Sequence, residues 1–116
     1  MREIVFYRTS SAHSPIDDFL DSLSSKQARK VAWVLRLVEE LEIVPKQYFK
    51  KMVNTEDLWE VRVRTGSNIF RLLGFFDGAK IVVLSHAFQK KTQKTPLRAV
   101  KLAEERRRDY FARKKK

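Results

Sequence analysis

The segment that decides the fold runs from Leu58 to Phe88 and reads LWEVRVRTGSNIFRLLGFFDGAKIVVLSHAF. Its first part, Leu58 to Arg64, alternates apolar and polar side chains, which is typical of a strand with one buried face. Two further runs, Ile69 to Phe76 and Lys80 to Phe88, are apolar at nearly every position, as interior strands are. The connections centre on Gly-Ser and Asp-Gly pairs, which suit two-residue hairpin turns. The segment therefore predicts consecutive antiparallel strands.

Helices flank this segment on both sides. Ser14 is a predicted N-cap and is followed by proline at the first helical position. Ser24 forms a predicted capping box with Gln27, and apolar residues then recur at helical spacing. The predicted elements outside the strands are a first strand at Glu3–Tyr7, helices from Pro15 to about Leu23 and from Ser24 to Pro45, and a last helix that opens at Thr95-Pro96. The sequence thus predicts an α+β fold, an antiparallel β-sheet with an N-terminal helical hairpin and a C-terminal helix.

The composition limits the class of protein. The chain has 116 residues, 43% of them hydrophobic, so residues 1–116 are expected to form one domain. It has no Cys, which excludes a disulfide framework, cysteine-bound zinc and thiol chemistry and fits a cytoplasmic location. No apolar run reaches the roughly 18 residues of a membrane helix, and the N-terminus lacks the apolar stretch of a signal peptide. We therefore expect no membrane-spanning segment and no partner within a membrane.

The charge is strong and unevenly distributed. The formal net charge is +11, which favours a polyanionic partner such as RNA, DNA, an acidic protein or an acidic membrane surface. Residues 90–116 hold 12 basic and 3 acidic residues. The basic end, 113–116, is predicted to be a disordered tail that adds sequence-independent affinity for a polyanion. Composition alone does not choose among these partners.

Two-residue turns would fix which side chains share a face of the sheet. In that register Arg62 is opposite Arg71, Arg71 is opposite Leu84, and Ile69 is opposite His86. One face then carries Trp59, Val61, Val63, Phe70, Leu72, Phe76, Ile81 and Val83, and is the expected seat of the helices. The other face carries Glu60, Arg62, Arg64, Arg71 and His86 among Leu73, Phe75, Val82, Leu84 and Phe88.

The second face has the character of an anion site. Like charges directly opposite each other destabilise a strand pair, so Arg62 facing Arg71 needs a compensating partner. Glu60 can neutralise one of these charges, and the planar guanidinium fork suits a phosphate. The alternative for Arg71 is a structural ion pair with Glu60, and for Arg64 it is simple solvation. His86 is either a hydrogen-bonded core residue or a catalytic group, whereas His13 has no predicted role.

Lysines follow the last strand. Lys90, Lys91 and Lys94 lie in the loop that leads into the last helix, beside the predicted arginine face. Such a run is commonly a solvated surface, but lysine is also a flexible phosphate ligand and a proton carrier when its pKa is lowered by cationic neighbours.

These motifs resemble a known family. Leu58-Trp59-Glu60-Val61-Arg62, Arg71 in an aromatic strand, the stretch from Val83 to Pro96, and Ala103 with Arg106 or Arg107 resemble the phage-derived HigB-like branch of the RelE/ParE toxin superfamily. The resemblance covers nearly the whole chain and is most specific from Phe88 through Pro96. It implies a RelE-like, microbial-RNase-like fold and the toxin of a type II toxin–antitoxin system.

The resemblance also implies an activity. RelE and HigB-type members are ribosome-dependent mRNA endoribonucleases, in which the RNA 2′-hydroxyl attacks the neighbouring phosphate without a metal or other cofactor. ParE-type members instead inhibit DNA gyrase, and because both share the fold this alternative stays open. A non-catalytic basic nucleic-acid-binding module is a further alternative. The implied partners are a cognate antitoxin, the ribosome and mRNA.

Residue roles follow from the resemblance position by position. Arg71 matches the strand arginine that stabilises the phosphate, and the three loop lysines match the basic loop, where one serves in proton transfer. The expected catalytic residues are Arg71, Lys90, Lys91 and His86, and the expected RNA-binding residues are Arg62, Arg64 and Lys94. The chain has Phe88 where the strongest RNases of the family have tyrosine, which leaves the general base open among His86, a lysine and Tyr110.

Overall fold

The computed structural model describes residues 1–91 and 94–115. Within them the chain forms the strands β1 (Glu3–Phe6), β2 (Phe49–Lys51), β3 (Trp59–Thr65), β4 (Asn68–Asp77) and β5 (Ile81–Gln89) and the helices α1 (Pro15–Asp21), α2 (Ser25–Glu40) and α3 (Leu97–Lys114). The α+β class is confirmed. None of the described helices has the length and apolar character that a membrane crossing requires.

The five strands form one mixed sheet in the order β1-β5-β4-β3-β2. β1 runs parallel to β5, whereas the other neighbouring pairs are antiparallel. The prediction of a purely antiparallel sheet was therefore wrong at one edge. Local sequence marks β1 as a strand but does not indicate which partner it joins, because α1 and α2 separate it from all the other strands.

The N-caps of α1 and α2 are those that the sequence predicts. The Ser14 hydroxyl accepts a hydrogen bond from the Asp17 amide at 3.3 Å. Ser24 and Gln27 form the reciprocal capping box, with bonds of 3.1 and 3.2 Å. Both helices end before the predicted residues, α1 at Asp21 and α2 at Glu40. The capping residues therefore specify where each helix of the hairpin begins.

Helices cover both faces of the sheet. α1 and α2 pack on the face that carries Val61, Phe70 and Leu84. On the opposite face Ala99 and Ala103 of α3 pack against Leu73. Further along α3, Tyr110 and Phe111 pack against Phe75 and Val83. The contacts of α3 with β4 are therefore made at Leu73 and Phe75, beyond Arg71 on the same face.

The β3–β4 hairpin has the predicted register. Thr65 pairs with Asn68 across a two-residue turn, and Arg62 pairs with Arg71. Gly66 has a φ of 58°, a left-handed conformation that a two-residue hairpin turn requires. The opposition of the two arginines is thus an observed feature of the sheet.

The β4–β5 hairpin departs from the prediction. Its turn has three residues, so Asp77 pairs with Ile81, and a bulge follows between Leu73 and Gly74. Arg71 lies opposite Phe88 instead of Leu84, and His86 lies opposite Leu73 instead of Ile69.

The extra turn residue exchanges the faces of part of β5. Val82 and Leu84 join the core under α1 and α2, whereas Val83 packs on the α3 side, the reverse of the prediction. The bulge then returns His86 to the face of Arg71. Gly74 permits this irregularity, because a Cβ there would lie 2.2 Å from the Val83 carbonyl oxygen.

The start and end of α3 also differ from the prediction. The N-cap is Pro96, without a side-chain cap bond, so α3 begins at Leu97, later than a helix that opens at Thr95-Pro96. Arg113 and Lys114, which were assigned to a disordered tail, lie in the last turn of α3. Arg113 donates a hydrogen bond of 2.5 Å to the Arg8 carbonyl, which holds this end of the helix beside β1. Residue 116 lies outside the described part of the chain.

Candidate functional site

Arg71 is a buried cation in the middle of β4. Its residue surface is only 5% exposed, and its neighbour across the strand pair is Arg62. Burial lowers the pKa of the Arg71 guanidinium, and the charge of Arg62 lowers that pKa further. A guanidinium remains charged in spite of such shifts, so the position concentrates positive charge where solvent cannot screen it well.

Glu60 lies between the two arginines. Its Oε1 is 3.4 Å from Nε of Arg62, and its Oε2 is 3.7 Å from Nε of Arg71. These distances allow electrostatic attraction, but both Nε atoms are buried and neither makes a hydrogen bond within the described residues. Arg71 does use Nη1, which donates a bond of 3.3 Å to the Phe70 carbonyl. One carboxylate therefore offsets the two cations only in part, and donor capacity remains for an anion.

An open pocket of about 430 Å³ adjoins the two arginines. Its lining consists of Lys30, Gln47, Tyr48, Arg62, Val63, Arg64, Ile69 and Arg71. Among the described residues, the charged side chains that line it are all cations. The pocket therefore has the charge and donor chemistry to hold a phosphate.

Lys90 belongs to the same cluster. Its backbone amide donates a bond of 2.7 Å to the Ile69 carbonyl, which extends the β4–β5 pairing past the end of β5. Partial burial lowers the pKa of the Lys90 amine, and the charge of Arg71 lowers it further. A lysine with a lowered pKa gives up its proton more readily than an ordinary lysine. We call Arg62, Arg71, Lys90 and Glu60 the arginine site.

Three further cations were predicted for the site, Lys91 as catalytic and Arg64 and Lys94 as RNA-binding. Arg64 is exposed and lines the pocket. Lys91 and Lys94 are exposed residues after β5, and positions 92 and 93 between them lie outside the described residues. The structure thus brings Arg62, Arg64, Arg71 and Lys90 together.

His86 has a different environment. It shares a face with Arg71, but its ring stacks on Phe88 at 5.6 Å and its charged neighbour is Arg106 of α3. Burial, followed by the charge of Arg106, lowers the pKa of His86 to about 4. The imidazole is therefore neutral at neutral pH, and the predicted grouping with Arg71 rests on the shared face alone.

A match to a protein-family model covers most of the chain, including the arginine site. The model described as Phage derived protein Gp49-like (DUF891) matches residues 18–108, from α1 into α3. The chain belongs to this family. Members of the Gp49-like family are toxin-like and often occur in toxin–antitoxin systems. A search of curated proteins finds no match.

Sequence reasoning missed three residues of the pocket in this Gp49-like protein. Helical spacing puts Lys30 on the polar face of α2, which is commonly solvated, and the sequence around Gln47 and Tyr48 has no clear periodicity. Tyr48 is placed by β2, an unpredicted three-residue strand, and its carbonyl accepts a bond of 2.8 Å from the Arg62 amide. Helical and strand periodicity carries no information on such neighbours, because they come from distant parts of the chain.

Tyr110 is not part of the arginine site. Its hydroxyl donates a bond of 2.7 Å to Asp77, at the far end of β4. Burial and this bond raise the pKa of Tyr110 to about 12, which makes the phenol a poor source of a base at neutral pH. The structure therefore argues against Tyr110 as the general base. Within residues 1–91 and 94–115, no group of three or more acidic or histidine side chains is arranged to hold a metal ion.

Proposed function

We propose that this Gp49-like protein is the HigB-like toxin of a type II toxin–antitoxin system and cleaves mRNA on the ribosome in the cytoplasm. The observation that carries the proposal is Arg71, a buried arginine with an unbonded Nε, directly opposite a second arginine and beside Lys90. Membership of a toxin-like family supports it. Charged groups held in place before the substrate arrives are what phosphate cleavage requires.

The proposed reaction needs no metal. The RNA 2′-oxygen forms a bond to the adjacent phosphorus, the bond from phosphorus to the 5′-oxygen breaks, and a 2′,3′-cyclic phosphate results. Arg71 and Arg62 stabilise the charge that develops on the phosphate oxygens. Lys90, whose pKa is lowered, donates a proton to the departing 5′-oxygen.

A base must take the 2′-hydroxyl proton. Glu60 and neutral His86 are the candidates on this face of the sheet. Glu60 adjoins both arginines that would hold the phosphate, whereas the charged neighbour of His86 is Arg106. We therefore assign the proton acceptor to Glu60, which is not among the candidates that the sequence left open. Lys91, Lys94 and Arg64 contribute phosphate contacts along the RNA strand.

The test is induction of the protein in cells, followed by mapping of mRNA 5′ ends. Cuts in phase with codons are expected, and they should disappear in Arg71→Ala. Arg36→Ala is a matched control, because Arg36 is an exposed cation on α2 away from the pocket lining. Lys90→Ala, at a half-buried position, gives a second test in which loss of folding is less of a concern. Intact mRNA together with DNA double-strand breaks would instead establish gyrase inhibition.

The proposal includes an antitoxin. A net charge of +11 favours a partner segment rich in carboxylates, which would cover the arginine site and block it. We expect the product of an adjacent gene to restore growth on co-expression and to co-purify with the toxin. Failure of that product to bind the toxin would contradict this part of the proposal.

A further inference from the structure

Trp33 is an exposed aromatic residue whose neighbours Lys30 and Tyr48 line the pocket of the arginine site. It lies on α2, and 46% of its surface is exposed. Its ring meets the Tyr48 ring edge to face, with centroids 5.7 Å apart and an interplanar angle of 85°. Tyr48 in turn lines the pocket that contains Arg62 and Arg71. An indole that is half open to solvent therefore contacts the lining of a cationic pocket that has room for a phosphate.

Lys30 connects the aromatic pair to the phosphate pocket. Its Nζ lies 4.5 Å from the centroid of the Trp33 ring, and the same side chain lines the pocket with the arginines. The cation is thus close both to an aromatic face and to the space for a phosphate. A ligand that carries an anion next to a flat aromatic group matches this arrangement.

Gln47 adds hydrogen-bonding capacity at the same place. It is exposed, lines the pocket, and immediately precedes Tyr48. Its amide can donate and accept at once, which is how glutamine binds the edges of nucleobases. A cationic groove combined with aromatic stacking surfaces is typical of single-stranded nucleic-acid binding.

We infer that Trp33 and Tyr48 form a nucleobase-binding site in which one base of the RNA stacks while its phosphate lies on Arg62 and Arg71. RNA is favoured over a carboxylate-rich peptide because the aromatic pair at the border of the cationic pocket offers a stacking surface that suits a base and not a carboxylate. The inference rests on the proposed function in that it takes RNA as the ligand. It adds a contact to the base, which cations alone do not provide.

The two tryptophans allow a direct test by fluorescence. Trp59→Phe leaves Trp33 as the single reporter, and Trp33→Phe leaves Trp59, which stacks on Phe49 with centroids 4.8 Å apart. A short single-stranded RNA should quench the fluorescence of Trp59→Phe and leave that of Trp33→Phe unchanged. Tripolyphosphate, a polyanion without bases, should bind without quenching. Equal quenching by both ligands, or quenching of Trp59 alone, would overturn the inference.

Affinity measurements give a second test. Trp33→Ala should weaken binding of the same RNA about tenfold, as expected for loss of one stacked base, and Trp33→Phe should weaken it less. Val53→Ala is the control, because Val53 is also an exposed apolar residue, at 80%, and does not line the pocket. An unchanged affinity for Trp33→Ala would reject the site. Quenching of Trp33 by a poly-glutamate peptide that also displaces the RNA would likewise reject the site, because that result would assign the surface to a protein partner.

These outcomes separate the inference from the proposed function. If RNA quenches Trp33 but induction of the protein leaves mRNA intact, the nuclease proposal fails and the nucleobase site stands. If mRNA cleavage depends on Arg71 but RNA affinity does not depend on Trp33, the nucleobase site fails and the nuclease proposal stands.

Discussion

The protein has two concentrations of basic residues, and they are paired very differently. On α3, Arg113 lies 2.6 Å from Asp109, Lys114 lies 2.7 Å from Asp77, and Arg108 also pairs with Glu56. In the arginine site, two arginines share one carboxylate at 3.4 and 3.7 Å, and both Nε atoms are left without a hydrogen bond. The larger set of cations is paired with carboxylates on α3 itself, on β4 and in the loop before β3, and the smaller set is available to an anion.

This difference shows that net charge is a poor guide to the site. Residues 90–116 carry most of the excess charge, but the described contacts of α3 use much of it internally. Lys90 is an exception, because it precedes the helix and its electrostatic neighbours are Arg71, Glu60 and Arg62. The site is therefore identified by unmet hydrogen-bonding capacity and burial, more than by the count of basic residues.

The largest expected effect is that of Arg71→Lys on toxicity. The substitution keeps the charge but removes the planar fork of donors, so we expect mRNA cleavage to fall about a hundredfold. The counterpart on α3 is Arg113→Lys, which keeps a cation beside Asp109 and should leave cleavage unchanged. Growth after induction and counts of mapped mRNA ends measure both variants. Equal losses for the two variants would remove the distinction between the two regions.

Glu60→Gln should have the next largest effect, on stability. It removes the carboxylate that offsets buried Arg71, and we expect the free energy of unfolding to fall by about 2 to 3 kcal/mol. Urea denaturation measures the change. Glu40→Gln is the control, because Glu40 is exposed at the end of α2. If both substitutions left stability unchanged, Glu60 would not be compensating the arginines.

Tyr110→Phe tests the pairing at the end of α3 and should cost about 1 kcal/mol at neutral pH, through loss of the bond to Asp77. The folded pKa of Tyr110 is about 12, compared with 10.0 for an ordinary tyrosine. The unfolded chain therefore loses this proton first, so the stabilisation is complete below pH 10 and is lost as the pH rises toward 12. The Tyr110→Phe variant should lack this loss of stability between about pH 10 and 12. Parallel stability curves for variant and wild type would contradict this.

His86→Gln should have the smallest effect. The imidazole is neutral at neutral pH and its charged neighbour is Arg106, so we expect cleavage to remain within about threefold of the wild type. The assay is the same mapping of mRNA ends. A loss as large as that of Arg71→Lys would return His86 to the catalytic role that the sequence suggested.

Part of the site could be predicted from the sequence. Alternation in β3 and the two-residue turn at Gly66 place Arg62 opposite Arg71, and the structure confirms that pairing. The position of His86 on the same face was also predicted, but for the wrong reason. The longer turn shifts the alternation by one residue and thereby exchanges the faces of Val82 and Val83. The bulge shifts the alternation once more, so His86 returns to the predicted face.

The sequence by itself determined the α+β class, the starts of α1 and α2, and the β3–β4 hairpin, because capping, periodicity and tight turns depend on residues close together in the chain. Only the tertiary structure decided that β1 joins β5 in parallel, that several cations of α3 are paired, and that Lys30 and Tyr48, with Trp33 packed on them, line a pocket with the arginines. Those features depend on packing and electrostatics between distant segments. Local patterns record which face a residue occupies, but not which residues it meets there.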